Sequence, residues 1–213
     1  MVPSLRGFVK NAVLDRVPGL LRRGPASARR VALTFDDGPD RLTERYLDVL
    51  DELGVPATFF VLGERADARP ELVREYLCRG HQVAGHGYDH SRFTQLSRPE
   101  LLDQCARTEQ AIGGQLTGRA WVRPPHGSID APSLVALRAA GYIVAMWSVD
   151  SCDYTERDPA RLALRCAPSA VVPGDVLLFH EGQDWTLQAL PRIVTALQRA
   201  GYEHVTMHDL FAR

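Results

Sequence analysis

The stretch Val31-Ala-Leu-Thr-Phe-Asp-Asp-Gly-Pro-Asp40 decides the fold of this chain. Its first five residues are apolar or β-branched, which is typical of a buried strand, and Gly38-Pro39 then turns the chain. Asp36 and Asp37 therefore stand at the mouth of a sheet. Neighbouring side chains of an extended strand point to opposite sides, so we expect one carboxylate to bind a metal ion while the other stays free as a base. Two carboxylates at an apolar strand end are costly unless a cation or hydrogen bonds offset their charge.

A second stretch, Gly85-His-Gly-Tyr-Asp-His90, carries two histidines four residues apart. One helical turn would place both imidazoles on the same side. Two imidazoles and one carboxylate leave an open coordination position, which is typical of a catalytic metal site and not of a closed structural one. Each stretch alone has an ordinary alternative: a solvated turn for the aspartates, and surface or core packing for His86 and His90.

From Val31 onward, strand-like and helix-like stretches alternate. The predicted strands cover residues 31–35, 57–62, 81–84, 120–122, 142–149, 175–179 and 204–206. Such alternation implies parallel strands joined by crossover helices, one of which begins at the capping box Ser97-Arg-Pro-Glu100. About seven units favour a barrel, while the pattern alone leaves an open doubly wound sheet as the alternative. Both polar stretches follow predicted strands, and the carboxyl ends of barrel strands carry active sites.

The composition limits the classes of function. A chain of 213 residues suits one domain, and its net charge of −1 gives no field that attracts nucleic acid. No apolar run reaches the length of a membrane span, and no secretory signal is evident, which predicts a cytoplasmic protein. The four cysteines form no Cys-x-x-Cys pair and are interpreted as free thiols.

Basic residues cluster near the start of the sequence. They are Arg6, Lys10, Arg16, Arg22, Arg23, Arg29 and Arg30. Apolar residues interleave with the first few of them, so residues 1–29 are interpreted as an N-terminal basic arm or helix. A helix packed on the barrel or a frayed arm is the favoured arrangement, and contact with a membrane surface is the alternative.

The two polar stretches together resemble the polysaccharide deacetylase family, also called the NodB-homology domain or carbohydrate esterase family 4. Three further segments agree in the family's order: Arg-Pro-Pro-His-Gly at 123–127, Trp-Ser-Val-Asp-Ser-Cys-Asp-Tyr at 147–154, and Asp-Val-Leu-Leu-Phe-His at 175–180. The resemblance runs from about Arg30 to Phe211. It implies an α/β fold, a distorted (β/α) barrel with about seven parallel strands, formed by a catalytic domain at residues 30–213.

The resemblance also implies a hydrolase that depends on a metal ion. Asp37, His86 and His90 would hold a divalent ion, usually Zn²⁺ and sometimes Co²⁺ or another transition ion. Asp36 would be the general base that takes a proton from water, and His180 would be the general acid that protonates the departing amine.

Two further residues would support this chemistry. Arg123 would pair with Asp36 and keep it ionised and oriented. Asp153 would pair with His180 and raise its pKa, although the sequence leaves Asp150 as a competitor for that place.

Four residues are expected to bind substrate: His126, Leu178, Trp147 and Tyr154. A backbone N–H near His126 would stabilise the oxyanion, and Leu178 would line a pocket for the acetyl methyl group. The chain departs from the family's pattern at Gly87, where Ser or Thr is usual, at His126, where Tyr is usual, and at Tyr154, where Trp is usual. These departures leave the choice of substrate open.

The implied activity is the removal of N-acetyl groups from amino sugars in chitooligosaccharides, peptidoglycan-like chains or glycoconjugates, with release of acetate. O-deacetylation of acetylated xylan and deformylation or hydrolysis of another small C–N bond are alternatives that use the same kind of site. A non-catalytic carbohydrate-binding domain is the alternative from another class. Inactive relatives generally lose the base, a metal ligand or the acid, and this chain retains all of them.

Overall fold

The computed structural model describes residues 17–113 and 120–212 of the chain. The strands are β1 (Leu20–Leu21), β2 (Arg30–Gly38), β3 (Thr58–Val61), β4 (Gln82–Gly85), β5 (Trp121–Val122), β6 (Ile143–Ala145), β7 (Val149–Asp150), β8 (Val176–His180) and β9 (Glu203–His204). The helices are α1 (Thr43–Leu53), α2 (Gly63–Ala68), α3 (Pro70–Cys78), α4 (Arg98–Ala111), α5 (Ala131–Ala139), α6 (Pro159–Arg165), α7 (Asp184–Arg199) and α8 (Met207–Phe211).

The strands form one sheet in the order β1-β6-β5-β4-β3-β2-β8-β7, and β9 pairs with β2. Each of these strands runs parallel to the strand that it pairs with. The predicted parallel strands with crossover helices are therefore confirmed. The predicted capping box is also confirmed, because Ser97 and Glu100 satisfy each other's backbone N–H groups at the start of α4.

The prediction of a single strand at residues 142–149 is wrong. This segment divides into β6, which pairs with β1 and β5, and β7, which pairs with β8 at the other edge of the sheet. Four peptide steps join Ala145 to Val149, and they reach about 14 Å at most. The two edges of the sheet must therefore approach each other. The sheet is curled, as the predicted distorted barrel requires, and is not an open doubly wound sheet.

The alternation of side chains along β2 divides the core into an outer and an inner part. Leu33 and Phe35 pack with the helices outside the sheet, and both are fully buried. Ala32 belongs to a second cluster with residues of neighbouring strands, and Thr34 and Asp36 follow it on that inner face. Each fully buried Leu or Phe side chain stabilises the fold by about 1.5–3 kcal/mol. The apolar outer face of β2 thus fixes Asp36 on the inner face of the curled sheet.

The sheet includes residues that precede the predicted start of the catalytic domain at residue 30. Leu20 and Leu21 pair with Val144 and Ala145 of β6. Residues 1–16, the larger part of the arm or helix predicted for residues 1–29, lie outside the described residues. The structure of that part therefore stays a prediction. In residues 17–113 and 120–212, no helix combines the length and the apolar character that crossing a bilayer requires. All four cysteines are free thiols, as predicted.

Candidate active site

Asp36 and Asp37 face the same cavity, so the expectation that they point to opposite sides is wrong. The pairing of β2 with β3 shifts register between Asp36 and Gly38, and Asp37 has a φ of 72°. This left-handed residue turns its side chain back towards the side that Asp36 occupies. Nε2 of His86 lies 3.6 Å from Oδ2 of Asp36 and 3.5 Å from Oδ1 of Asp37.

His86 and His90 also meet, but not through a helical turn. Strand β4 ends at Gly85, and the following loop is bent by left-handed residues at Gly87 (φ 75°) and His90 (φ 65°). The two ring centroids are 5.2 Å apart, and Nε2 of His90 lies 3.3 Å from Oδ1 of Asp37. Nδ1 of His86 lies 2.8 Å from the carbonyl oxygen of Arg123. A carbonyl oxygen only accepts, so Nδ1 carries the proton and Nε2 presents its lone pair to Asp37.

The side chains of Asp37, His86 and His90 fit a divalent metal ion. Their ligand atoms all lie within 4.8 Å of one another. Oδ1 of Asp37 is buried and has no hydrogen-bond donor among the described residues, although a buried carboxylate oxygen normally has one. Burial lowers the pKa of His86 to about 3, against a smaller opposing effect of Asp37, so this imidazole is neutral and able to act as a ligand. The predicted set of metal ligands is thus brought together.

Arg123 forms a buried ion pair with Asp36. Its Nη1 donates to Oδ1 of Asp36 at 2.6 Å and to the hydroxyl of Thr34 at 2.9 Å, and its guanidinium lies 3.9 Å from the centre of the Phe60 ring. Neither charged side chain is more than 3% exposed. Burial raises the pKa of Asp36, and the charge of Arg123 opposes that rise. The predicted pairing is present, and Arg123 fixes which oxygen of Asp36 remains for the cavity.

Asp153, and not Asp150, is the partner of His180. Oδ1 of Asp153 lies 2.7 Å from Nδ1 of His180, and Oδ2 accepts the backbone N–H of His180 at 2.8 Å. Burial lowers the pKa of His180, but the hydrogen bond and charge of Asp153 outweigh it and raise the pKa to about 9. Asp150 instead accepts from the backbone of Cys152 and from the hydroxyl of Tyr154.

The cavity in front of these groups has a volume of about 350 Å³. It is lined by Asp36, Asp37, His86, His90, His126, Gly127, Trp147, Tyr154, Leu178, His180 and Gln183. Nine of these residues are predicted from the sequence, whereas Arg123 and Asp153 lie behind the lining and support it. Gly127 and Gln183 are additions. A Cβ at Gly127 would lie 2.8 Å from the Trp147 ring, so glycine lets this ring close one wall of the cavity.

The residues that depart from the family's pattern lie at or beside this cavity. His126 has a φ of 56°, and its ring centroid is 4.3 Å from that of His90. Tyr154 is 54% exposed, and its ring meets the edge of His180 with centroids 5.4 Å apart. Leu178, which also lines the cavity, is buried. The rim thus differs from the usual pattern, while the residues predicted as base, acid and metal ligands all line the cavity.

Glu181 is a buried carboxylate beside the site that the sequence analysis missed. Its two oxygens accept from the hydroxyls of Thr43 at 2.8 Å and Tyr76 at 2.7 Å. A Cβ at Gly38 would collide with Oε2 of Glu181, so the carboxylate occupies the space that glycine leaves open. Burial raises the pKa of Glu181 to about 8, despite the opposing hydrogen bonds of Tyr76 and Thr43.

A curled parallel sheet that gathers carboxylates and imidazoles at the carboxyl ends of its strands is typical of the active-site face of an α/β barrel. The sequence profile described as polysaccharide deacetylase matches residues 23–145. The chain belongs to the polysaccharide deacetylase family, as its five ordered motifs predict.

Two relatives illustrate the range of the family. The peptidoglycan-N-acetylglucosamine deacetylase PgdA of Listeria monocytogenes is 36% identical over 186 residues, which cover 86% of this chain and 39% of the relative. The chitooligosaccharide deacetylase of a Bradyrhizobium species is 34% identical over 196 residues, which cover 84% of this chain and 89% of the relative. The chain thus spans about two fifths of the length of the Listeria protein.

Solved structures share the fold. The peptidoglycan N-acetylglucosamine deacetylase Bc1960 has a TM-score of 0.85 at 32% identity, and the match covers 91% of this chain and 92% of that one. A pseudoenzyme of carbohydrate esterase family 4 from Bacillus anthracis, BA3943, has a TM-score of 0.83 at 26% identity, with 92% and 70% covered. The fold alone therefore does not separate active from inactive members of the family.

Proposed function

We propose that this chain hydrolyses the acetamido group of N-acetylated amino sugars, with the help of a divalent metal ion, and releases acetate and a free amine. The names of the relatives support an N-acetylated amino sugar as the substrate, because peptidoglycan and chitooligosaccharides both carry N-acetylglucosamine units. The side chains around the cavity support the reaction. O-acetylated xylan and formylated amines remain the alternatives, since the same groups would act on them.

The observation that carries this proposal is the pairing of Asp36 with His180 across the sheet. Asp36 on β2 and His180 on β8 are register partners, and both line the cavity. Each is held by its own partner of opposite charge, Arg123 for Asp36 and Asp153 for His180. A base and an acid thus face one reacting group from adjacent strands, and their environments give them different proton affinities.

The roles of the residues follow from these positions. The free oxygen of Asp36 accepts a proton from the attacking water, while Arg123 keeps its other oxygen bound. His180 donates its Nε2 proton to the departing nitrogen, because Nδ1 is held by Asp153. A backbone N–H near His126 donates to the oxyanion. Leu178 and Trp147 enclose the acetyl methyl group, and the exposed ring of Tyr154 meets the sugar at the rim.

Asp37, His86 and His90 would hold the metal ion. We expect Zn²⁺, because two imidazoles and one carboxylate are a common set of ligands for catalytic zinc, and Co²⁺ suits the same donors. When bound, the ion supplies a Lewis acid for the acetyl carbonyl and lowers the pKa of a water molecule. The chain contributes the base, the acid and the shape of the cavity.

A non-catalytic carbohydrate-binding domain is the alternative from another class, and the likeness to the BA3943 pseudoenzyme makes it a necessary comparison. The complete set of Asp36, Asp37, His86, His90 and His180 around one cavity supports the enzyme.

Release of acetate and formate tests the proposal. The substrates are chitooligosaccharides, peptidoglycan fragments, acetylated xylan and formylated amino sugars, and the proteins are the zinc-loaded chain, its metal-free form and Asp36→Asn. Loss of a positioned general base lowers the rate by about 10²–10⁴-fold, so Asp36→Asn should retain zinc and lose turnover. Asp103→Asn is the matched control, because this side chain is 65% exposed on α4. Acetate from the N-acetylated members alone supports N-deacetylation, and equal activity of Asp36→Asn contradicts the assigned base.

A further inference from the structure

The loop that joins the two histidine ligands is anchored mainly through its backbone. The N–H of His86 donates to the carbonyl oxygen of Val61 at 2.8 Å. The carbonyl oxygens of Gly87 and Tyr88 accept from the first two residues of α2 at 3.0 Å each. These bonds tie one side of the loop to β3 and α2. They leave the N–H groups of Tyr88 and Asp89, which require a separate acceptor.

Gln104 of α4 supplies that acceptor. Its Oε1 accepts the N–H of Tyr88 at 2.7 Å and the N–H of Asp89 at 3.2 Å. The side chain is 9% exposed and reaches back to the loop from α4, the helix that follows it in the chain. Only an oxygen can accept two N–H groups here, which fixes the orientation of the amide. Gly87 has no side chain that could take over this role.

We propose that Gln104 is a positioning residue for the metal ligands His86 and His90, and this inference rests on the metal site of the proposed function. His86 is held directly by strand β3 and is 2% exposed, whereas His90 is 30% exposed and follows the loop. The position of His90 relative to Asp37 therefore depends on the path of residues 87–89. Gln104 fixes that path by binding two consecutive N–H groups, so the ligands are aligned before the ion arrives.

A second contact of α4 supports this role of the helix. The guanidinium of Arg107, one turn after Gln104, lies 3.6 Å from the centre of the Tyr88 ring. The hydroxyl of Tyr88 donates to Asp67 of α2 at 2.9 Å. The loop is thus held between two helices, and Gln104 makes the contact with its backbone.

The experiment measures the Kd of Zn²⁺ for the full chain by competition with a chromophoric chelator, together with the Tm of the metal-free protein. Gln104→Leu keeps most of the volume and removes the acceptor, and Gln104→Asn keeps the amide but is too short to reach the loop. Gln104→Glu keeps an accepting oxygen at the same distance. Gln110→Leu is the matched control, because Gln110 is exposed on the same helix.

Loss of a side chain that orients a metal ligand typically weakens metal affinity by about 10–100-fold, and we expect this rise in Kd for Gln104→Leu and Gln104→Asn. Gln104→Glu and Gln110→Leu should bind Zn²⁺ within about threefold of the wild type or more tightly. If Gln104→Leu fails to fold, the Kd of Zn²⁺ for Gln104→Asn decides the outcome.

A lowered Tm with an unchanged Kd would show that Gln104 only stabilises the fold, and it would overturn the inference. The inference would also be overturned if Gln104→Glu bound Zn²⁺ as weakly as Gln104→Leu. A wild-type chain that binds no Zn²⁺ would instead contradict the metal site of the proposed function. Wild-type binding with an unaffected Gln104→Leu variant contradicts only the role of Gln104.

Discussion

Asp153 binds His180 twice, once through the ring and once through the backbone. Its Oδ1 lies 2.7 Å from Nδ1 of the imidazole, and its Oδ2 accepts the N–H of the same residue at 2.8 Å. The hydroxyl of Thr186 also donates to Oδ2, at 2.9 Å, so the carboxylate itself is held in place. This arrangement leaves Nε2 as the only ring nitrogen of His180 that faces the cavity. The protonation of His180 is therefore coupled to Asp153.

Replacing Asp153 with Asn should move the alkaline limb of the pH–rate profile to lower pH. In the proposed reaction His180 must be protonated to donate to the leaving group. Its pKa is raised to about 9 by the hydrogen bond and charge of Asp153, against the effect of burial. Without that charge the pKa of His180 falls, and less of the imidazole is protonated at alkaline pH. At about pH 8, kcat/KM of the variant should be at least about tenfold below its own maximum for each pH unit by which the pKa of His180 lies below 8. A profile of kcat/KM against pH measures the shift.

Asp150→Asn is the control for this variant, because the sequence left Asp150 as the competing partner of His180. The hydrogen bonds of Asp150 go to Cys152 and Tyr154, and not to His180. Its alkaline limb should coincide with that of the wild type. An equal shift in both variants would mean that general negative charge, and not the bond from Asp153, sets the pKa of His180.

Replacing Arg123 with Leu should destabilise the protein strongly. Arg123 is fully buried and pairs with Asp36, so its removal leaves an uncompensated buried carboxylate at a cost of about 3–5 kcal/mol. Arg161→Leu is the control, because Arg161 is 70% exposed and its removal should cost less than about 0.5 kcal/mol. Urea unfolding measures both. The double variant Arg123→Leu with Asp36→Asn should recover part of the loss, and strict additivity of the two changes would contradict the coupling.

The sequence predicts the groups of this site better than their conformations. Asp36 and His180 lie at strand ends because apolar runs precede them, and parallel strands bring their carboxyl ends to one side. The spacing of His86 and His90 suggests a helical turn, but two left-handed residues, Gly87 and His90, bring the imidazoles together instead. A spacing of four residues brings two side chains together in a helix, but a bent loop can bring them together as well.

Glu181 and Gln104, which the sequence analysis missed, have their partners on other elements of the fold. Glu181 is buried because Thr43 and Tyr76, on two different helices, donate to it. Gln104 accepts from a loop that precedes it by about fifteen residues, and nothing in its own helix marks this role. Such contacts depend on the packing of helices against the sheet, which local sequence patterns do not encode.

Replacing Glu181 with Gln should change how stability depends on pH. Burial raises the pKa of Glu181 to about 8 from its ordinary value of 4.5. A raised pKa means that the folded state binds the proton more tightly than the unfolded state. The corresponding stability is fully present below about pH 4.5 and is lost as the pH rises through about 8. Relative to Glu181→Gln, which cannot ionise, the wild type should therefore lose free energy of unfolding across this range.

Urea unfolding at a series of pH values measures this difference. Glu75→Gln is the control, because Glu75 is 47% exposed on α3 and its substitution should leave the pH dependence close to that of the wild type. Parallel curves for Glu181→Gln and the wild type would show that Glu181 ionises as readily in the folded chain as in the unfolded one.

Zinc should raise the Tm of the wild-type chain, and replacing His90 with Ala should remove most of this rise. A ligand that binds only the folded state stabilises it by about 2.7 kcal/mol at about 100 times its Kd, which for a chain of this size corresponds to about 5–10 °C. His90→Ala removes one of the three proposed ligand side chains, whereas His208→Ala, at an exposed histidine outside the group, keeps all three. Thermal unfolding with and without Zn²⁺ measures the shift, and a chelator should reverse it in the wild type. An equal rise in His90→Ala and His208→Ala would mean that zinc binds elsewhere on the chain, and the assignment of Asp37, His86 and His90 as the metal site would then be wrong.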